Sequence, residues 1–256
     1  MRDKIKKIKT SIKVVKNIKN WHDYFKDYFG LIKKEYLIKM RNGIKFKIRA
    51  GGSDRFIINE IWMHKIYNPK DFEINPEDVV LDIGGHIGVF SIMAARIAKK
   101  VYVFEPVDKN FKLLIENIKL NGFKNVVPEK LALSDKNGKR KIYVSETNTG
   151  DNSLYDRKVS KTNPELIRTE TLKKFIRKNK IKKIDFLKMD CEGSEYDILY
   201  NISDEIIKKI GKMVIEHHFI DNKDKNGFLL KKFLESRGFK VRMHKDMLYA
   251  KNLLLN

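Results

Sequence analysis

Apolar and polar positions follow two periods along this chain, and the switches between them mark out the elements. Ile5, Ile8, Ile12 and Val15 recur at helical spacing with lysines on the other faces. Residues 3–29 therefore predict one or two helices, the apolar stripe docking on the body of the protein. Trp21, Tyr24, Phe25, Tyr28 and Phe29 follow as an aromatic cluster. Residues 36–40 and 44–48 alternate with period two around Asn42-Gly43, a strong hairpin signal. Asp54 is placed to cap a helix reaching about Tyr67. Asn68-Pro69 and Asn75-Pro76 then punctuate the approach to a continuous apolar run, Val79 to Leu81, of the kind buried on both faces of a parallel sheet.

Beyond that run, strands and helices alternate. Strands are expected at 101–104, 126–133, 139–144, 184–189 and 213–215, and helices from after the glycines to about Lys99, at 108–121, 171–180, 195–200 and 227–236. A hairpin, 239–243 with 247–253, closes the series. The polar stretch 145–165 reads as a loop over the ligand edge of the sheet. This order predicts an α/β fold with a doubly wound, Rossmann-like sheet. No internal repeat or Pro/Gly-rich linker divides it, so two regions are expected: a basic N-terminal helical extension and hairpin, 1–50, and the main domain, 51–256.

Composition adds three constraints. With 256 residues, 34% charged and 42% apolar, the chain suits a globular domain with a sizeable core. No apolar run approaches the ~20 residues of a membrane span, and no apolar segment after the basic start marks a secretory signal. The single cysteine, Cys191, excludes an internal disulfide and any cysteine-cluster metal site, which fits a cytoplasmic setting. Net charge is +22, and residues 1–50 hold 16 Lys+Arg against 4 Asp+Glu. Such a field favours anionic partners, RNA or an acidic membrane surface on which the protein would be peripheral, although a Lys-rich composition alone accounts for much of it.

The chemistry gathers at expected strand tips. Val79 to Phe90 reads strand, Gly-rich turn, helix, with Asp82 followed by Gly84, Gly85 and Gly88 around His86. A dinucleotide site calls for G-x-G-x-x-G and a pyrophosphate on the helix N-terminus. Here the spacing is G-G-x-x-G and an acid precedes it, which disfavours an anion and suits the amine and sulfonium of S-adenosylmethionine (SAM). Glu105 ends the second strand, where an acid meets ribose hydroxyls. The later tips bring Asp190, Glu192, His217 and His218, candidates for removing a proton from an acceptor. No metal site is assigned; Asp190 with Glu216 is the pair that would suit Mg²⁺.

The run 79–90 resembles the SAM motif of class I methyltransferases. In detail the chain resembles the FkbM family, through Phe104-Glu105-Pro106, Leu131-Ala-Leu-Ser-Asp135, Ile184-Asp-Phe-Leu-Lys-Met-Asp-Cys-Glu-Gly-Ser-Glu195, and upstream Gly52-Ser-Asp54, Glu60 and Tyr67. The resemblance spans roughly residues 50–250. It implies a class I sheet with one antiparallel late strand, and SAM as cofactor held by Asp82, Gly84, Gly85, His86, Gly88, Glu105, Ala132, Leu133 and Ser134. It implies catalysis at Asp190, Glu192, His217 and His218, on a hydroxyl of a sugar, glycan or related small molecule. RNA methylation and a membrane-surface or interaction role on a SAM-binding fold are the alternative readings. Asp190-Cys-Glu-Gly, where amine-directed enzymes carry Asn/Asp-Pro-Pro-aromatic, counts against base methylation.

Overall fold

The continuous apolar runs lie side by side in the middle of one sheet, where helices cover both faces. The computed structural model describes residues 2–143, 164–221 and 223–255. In chain order these form α1 (Arg2–Asn17), α2 (Trp21–Tyr28), β1 (Tyr36–Lys39), β2 (Lys45–Ile48), α3 (Asp54–Ile58) continuing as a π-helix (Asn59–His64), β3 (Val79–Ile83), α4 (Val89–Ala95), β4 (Lys100–Phe104), α5 (Asp108–Asn121), β5 (Val126–Glu129), β6 (Ala132–Leu133) and β7 (Gly138–Ile142). There follow β8 (Glu165–Glu170), α6 (Leu172–Lys178), β9 (Ile184–Met189), α7 (Ser194–Tyr200), α8 (Asp204–Ile207), β10 (Ile210–Glu216), α9 (Gly227–Ser236), β11 (Phe239–His244) and β12 (Met247–Asn252).

The main sheet has seven strands in the order β11-β12-β10-β9-β3-β4-β5. All neighbours from β10 to β5 are parallel, and β12 alone runs against them, as expected for a Rossmann-like class I methyltransferase sheet. Side chains alternate across it. Val80, Val101, Val103 and Phe186 join a core with the N-terminal elements, α4 and α5, whereas Leu81, Ile83, Leu187 and Met189 face α6, α7 and α9. The parallel register sets Ile83 beside Met189 and Met189 beside Ile215, so three strand tips open on one edge. Among the described residues no helix is long and apolar enough to cross a membrane.

Three local expectations are revised. The stripe Ile8, Ile12 and Val15 is exposed, and Val14 and Ile18 of the adjoining face are buried instead. Tertiary hydrogen bonds fix that rotation: Lys19 N–H donates to Lys39 O (2.7 Å) and Arg41 N–H to Asn17 O (2.7 Å), locking the end of α1 on the hairpin. Ser53, not Asp54, holds the cap position, and Asp54 is the first residue of the helix; its carboxylate takes the Arg49 guanidinium at 2.7 Å, and the helix after it widens into a π-helix. The strand expected over 126–133 divides. Val126–Glu129 ends the main sheet, where Pro128, which lacks an N–H, is tolerated on an edge. Ala132–Leu133 turns off to pair with β8 in a three-stranded sheet β6-β8-β7. Nearly all of the loop read over 145–165 lies outside the described residues; its last position already belongs to β8.

Candidate active site

The turn from β3 into α4 is packed so closely that two of its glycines are required. Gly84 has φ +81, and a Cβ there would fall 1.7 Å from the carbonyl oxygen of Asp190 on the neighbouring strand tip. A Cβ on Gly85 would fall 2.1 Å from Val103 Cγ2. Gly85 is thus needed for the loop to lie on β4, and a larger residue would disturb the fold before it met any ligand.

Beneath the loop is a buried ion pair. Asp82 is fully buried and does not line the cavity; its carboxylate accepts from Ser91 Oγ (2.5 Å) and pairs with Lys188 Nζ (3.1 Å). Lys188 also donates to Gly84 O (2.6 Å) and lies 3.8 Å from Asp190 Oδ2. Burial pulls the Lys188 pKa down, but the charges of Asp82 and Asp190 outweigh it and hold the ammonium protonated. The negative charge read from the sequence as facing a cationic ligand is therefore balanced inside the protein.

Above the loop a cavity of ≈ 410 Å³ runs along the strand tips, within the usual size of small-molecule sites. Gly84, Gly85, His86, Glu105, Ala132, Leu133, Asp190 and Glu192 line it. Gly88 and Ser134 do not; Ser134 Oγ instead accepts from Arg140. Glu105 is held at both oxygens, accepting from the His86 N–H and the Val107 N–H, each at 2.9 Å, with Asn110 adding a side-chain bond. The hairpin supports this end: Arg49 donates to Asn110 Oδ1 (2.9 Å) and to His86 Nε2 (3.1 Å). Burial lowers the His86 pKa to about 4, which keeps the ring neutral.

Burial raises Glu105 to about 7 against the backbone and Asn110 hydrogen bonds that lower it. A carboxyl that ionises near 7 when folded and near 4.5 when unfolded stabilises the fold below pH 4.5, and that contribution is lost as pH rises through 7. The shift corresponds to about 3 kcal/mol between those limits. In urea unfolding of ligand-free protein, Glu105→Gln should therefore flatten the decline in stability from pH 5 to pH 8. An unchanged slope would place the titration elsewhere; the absolute stability is uninformative, because the amide meets two N–H donors.

The other end of the cavity is acidic. Tyr67, 123 positions before Asp190, donates its single phenolic proton between Asp190 Oδ2 (2.9 Å) and Glu216 Oε2 (2.5 Å). Burial, and then the Asp190 charge, raise the Glu216 pKa. The phenol thus bridges the two carboxylates, and Asp190 lies opposite Lys188. His218 stands behind Asp190, its Nε2 3.4 Å from Glu192 Oε2 and 4.0 Å from Asp190 Oδ1, while Nδ1 donates to the buried Glu195 (3.1 Å). Burial opposes its charge, but the Glu195 hydrogen bond and the surrounding carboxylates raise its pKa to about 10. His217 points elsewhere: its ring lies where a Cβ on Gly227 would come within 2.3 Å.

The sequence model of the methyltransferase FkbM domain matches residues 82–241. The chain belongs to the FkbM methyltransferase family. It is 26% identical to the 31-O-demethyl-FK506 methyltransferase FkbM of Streptomyces tacrolimicus, over 83% of this chain and 92% of that one. It is 22% identical to the hexuronic acid methyltransferase AglP of Haloferax volcanii, over 93% and 98% of the two chains. Among solved structures it is similar to the methyltransferase FkbM of Methylobacillus flagellatus, with TM-score 0.49 and 15% identity over 77% of this chain and 53% of that one.

In this FkbM chain the site also uses residues that the sequence reading did not place there. Glu195 is the hinge of the acidic end: it accepts from Cys191 N–H (2.9 Å) and Gly193 N–H (2.8 Å) and so shapes the turn that carries Glu192. Tyr67 stood out only as part of the family pattern. Lys188 is one lysine among many in the sequence, although a lysine after the apolar pair Phe186-Leu187 inside an expected buried strand is a local signal.

Proposed function

We propose that the protein is a SAM-dependent O-methyltransferase acting on a hydroxyl of a sugar, glycan or related small molecule. The observation that carries this reading is one cavity with two unlike ends: a twice-anchored carboxyl, Glu105, beside the glycine turn, and Asp190 backed by Lys188, Tyr67 and Glu216. The donor fits the first end. Glu105 offers oxygens to a ribose diol, and Ala132, Leu133, Val107 and Ile142 form an apolar wall for a flat base. When bound there, SAM supplies a methyl group already activated by the sulfonium. The acceptor lies toward Asp190, and its hydroxyl proton passes to Asp190 Oδ as the oxygen attacks in line. His218, held charged by its carboxylate neighbours, orients Asp190 and Glu192. His217 has no part. The relative whose name gives a 31-O position supports an oxygen acceptor, and the hexuronic acid methyltransferase supports an acceptor of the sugar class.

The donor assignment is tested by calorimetry. At pH 8, where the Glu105 carboxyl is ionised, Glu105→Ala removes charged hydrogen-bond acceptors worth about 1.5–3 kcal/mol, so SAM affinity should fall about 10–150-fold. Unchanged affinity would refute the placement. Isotope-labelled SAM incubated with sugars and uronic acids should yield a product with the label on oxygen; transfer only to nitrogen or carbon would overturn the acceptor reading.

A further inference from the structure

Asp190, Glu192 and His218 each offer one ligand-type atom, and the three atoms lie within 4.8 Å of one another. We infer that these residues form a divalent-cation site at the acceptor end of the cavity, ligated by Asp190 Oδ1, Glu192 Oε2 and His218 Nε2. Two carboxylates and an imidazole suit a first-row divalent ion such as Mn²⁺, which takes oxygen donors and accepts a nitrogen among them.

The imidazole carries the argument. His218 gives its Nδ1 proton to Glu195, which is fully buried and lies outside the ligand set. That bond fixes the ring so that Nε2 faces Asp190 and Glu192, the carboxylate–histidine pairing found behind metal-binding histidines. Spacing agrees. Donors about 2.1–2.3 Å from an ion stand roughly 3 Å apart when adjacent and up to about 4.6 Å when opposite, and here Nε2 lies 3.4 Å and 4.0 Å from the two carboxylate oxygens. Glu195 also folds the 191–193 turn so that Glu192, at φ +54, keeps its carboxylate at the cavity instead of in solvent.

The set differs from an Asp190–Glu216 pair. Glu216 Oε2 and Asp190 Oδ2 are both occupied by the Tyr67 hydroxyl, whereas Asp190 Oδ1 faces His218. Binding exchanges the Nε2 proton for the cation. Because Asp190 and Glu192 line the cavity, the remaining coordination positions open toward the acceptor, whose hydroxyl a Lewis acid would polarise. That role rests on the O-methyl-transfer reading; the site itself does not.

The test is Mn²⁺ binding to the full chain after chelation and dialysis, followed by loss of the free-ion electron paramagnetic resonance signal. One Mn²⁺ per chain is expected. Glu192→Gln and His218→Asn should each weaken it at least tenfold, and His217→Ala, next in the chain but turned to Gly227, should leave it within about twofold. SAM affinity measured on the same samples verifies that each variant is folded. Absence of stoichiometric binding, or binding that survives both substitutions, overturns the site. Mn²⁺ binding without methyl transfer to any hydroxyl would keep the site and remove the function proposed above.

Discussion

Asp190→Asn lowers kcat by about 10²–10⁴-fold while SAM affinity changes less than about threefold. That range is the usual contribution of a positioned general base. Asn is nearly the same size and still accepts from Tyr67, so the geometry of the tip survives; what is lost is the ability to take a proton. A loss confined to kcat and kcat/KM, with donor binding intact, is the signature of an interaction made in the transition state. Glu216→Gln serves as the contrast. Its carboxylate oxygen accepts from Tyr67, and the amide oxygen of Gln can accept in the same place, so the change should cost less than tenfold. Single-turnover rates of both variants decide the matter. If Asp190→Asn turns over normally and Glu216→Gln is inactive, the proton goes to strand β10 and the assignment is reversed.

Lys188→Met destabilises the protein by about 3–5 kcal/mol, the usual cost of leaving one partner of a buried pair uncompensated. The lysine is 3% exposed and serves three groups at once: Asp82, Asp190 and the Gly84 carbonyl. Without it Asp82 keeps, among the described residues, the Ser91 hydroxyl. The double variant Asp82→Leu/Lys188→Met removes both charges, and should recover most of that loss, because an apolar pair of similar volume is often as stable as the ion pair it replaces. Urea denaturation of the two variants measures both values. A single-variant loss below about 1 kcal/mol would mean that Asp82 is not ionised in the folded protein. The double variant should still lose methyl transfer, since Asp190 then lacks its counter-charge.

Much of this molecule is written locally. The alternation in residues 36–48, the apolar run at 79–81, the strand expected at 184–189 and the Asn121-Gly122 stop each name their element from within a few positions, and the observed bounds follow them closely. Backbone periodicity and glycine conformation are short-range properties, so sequence carries them directly. The same holds for acids at strand tips: the glycine turn, Glu105 and Asp190 were legible because a doubly wound sheet puts such tips on one edge.

What only the tertiary structure decided is which charges meet. Tyr67 reaches Asp190 and Glu216 across 123 and 149 positions, through the pairing of Met189 with Ile215 and the path of the π-helix over the edge. Asp82 and Lys188 become partners because their strands are adjacent and parallel in that register. His217 and His218, indistinguishable in the sequence, separate because successive strand-end residues face opposite sides; one meets Glu195 and the other Gly227. The apolar stripe of α1 likewise turned outward because hydrogen bonds to the hairpin, and not the helix's own pattern, set its rotation. Periodicity fixes what an element is, whereas the sign and distance of a charge depend on neighbours that strand register alone brings together.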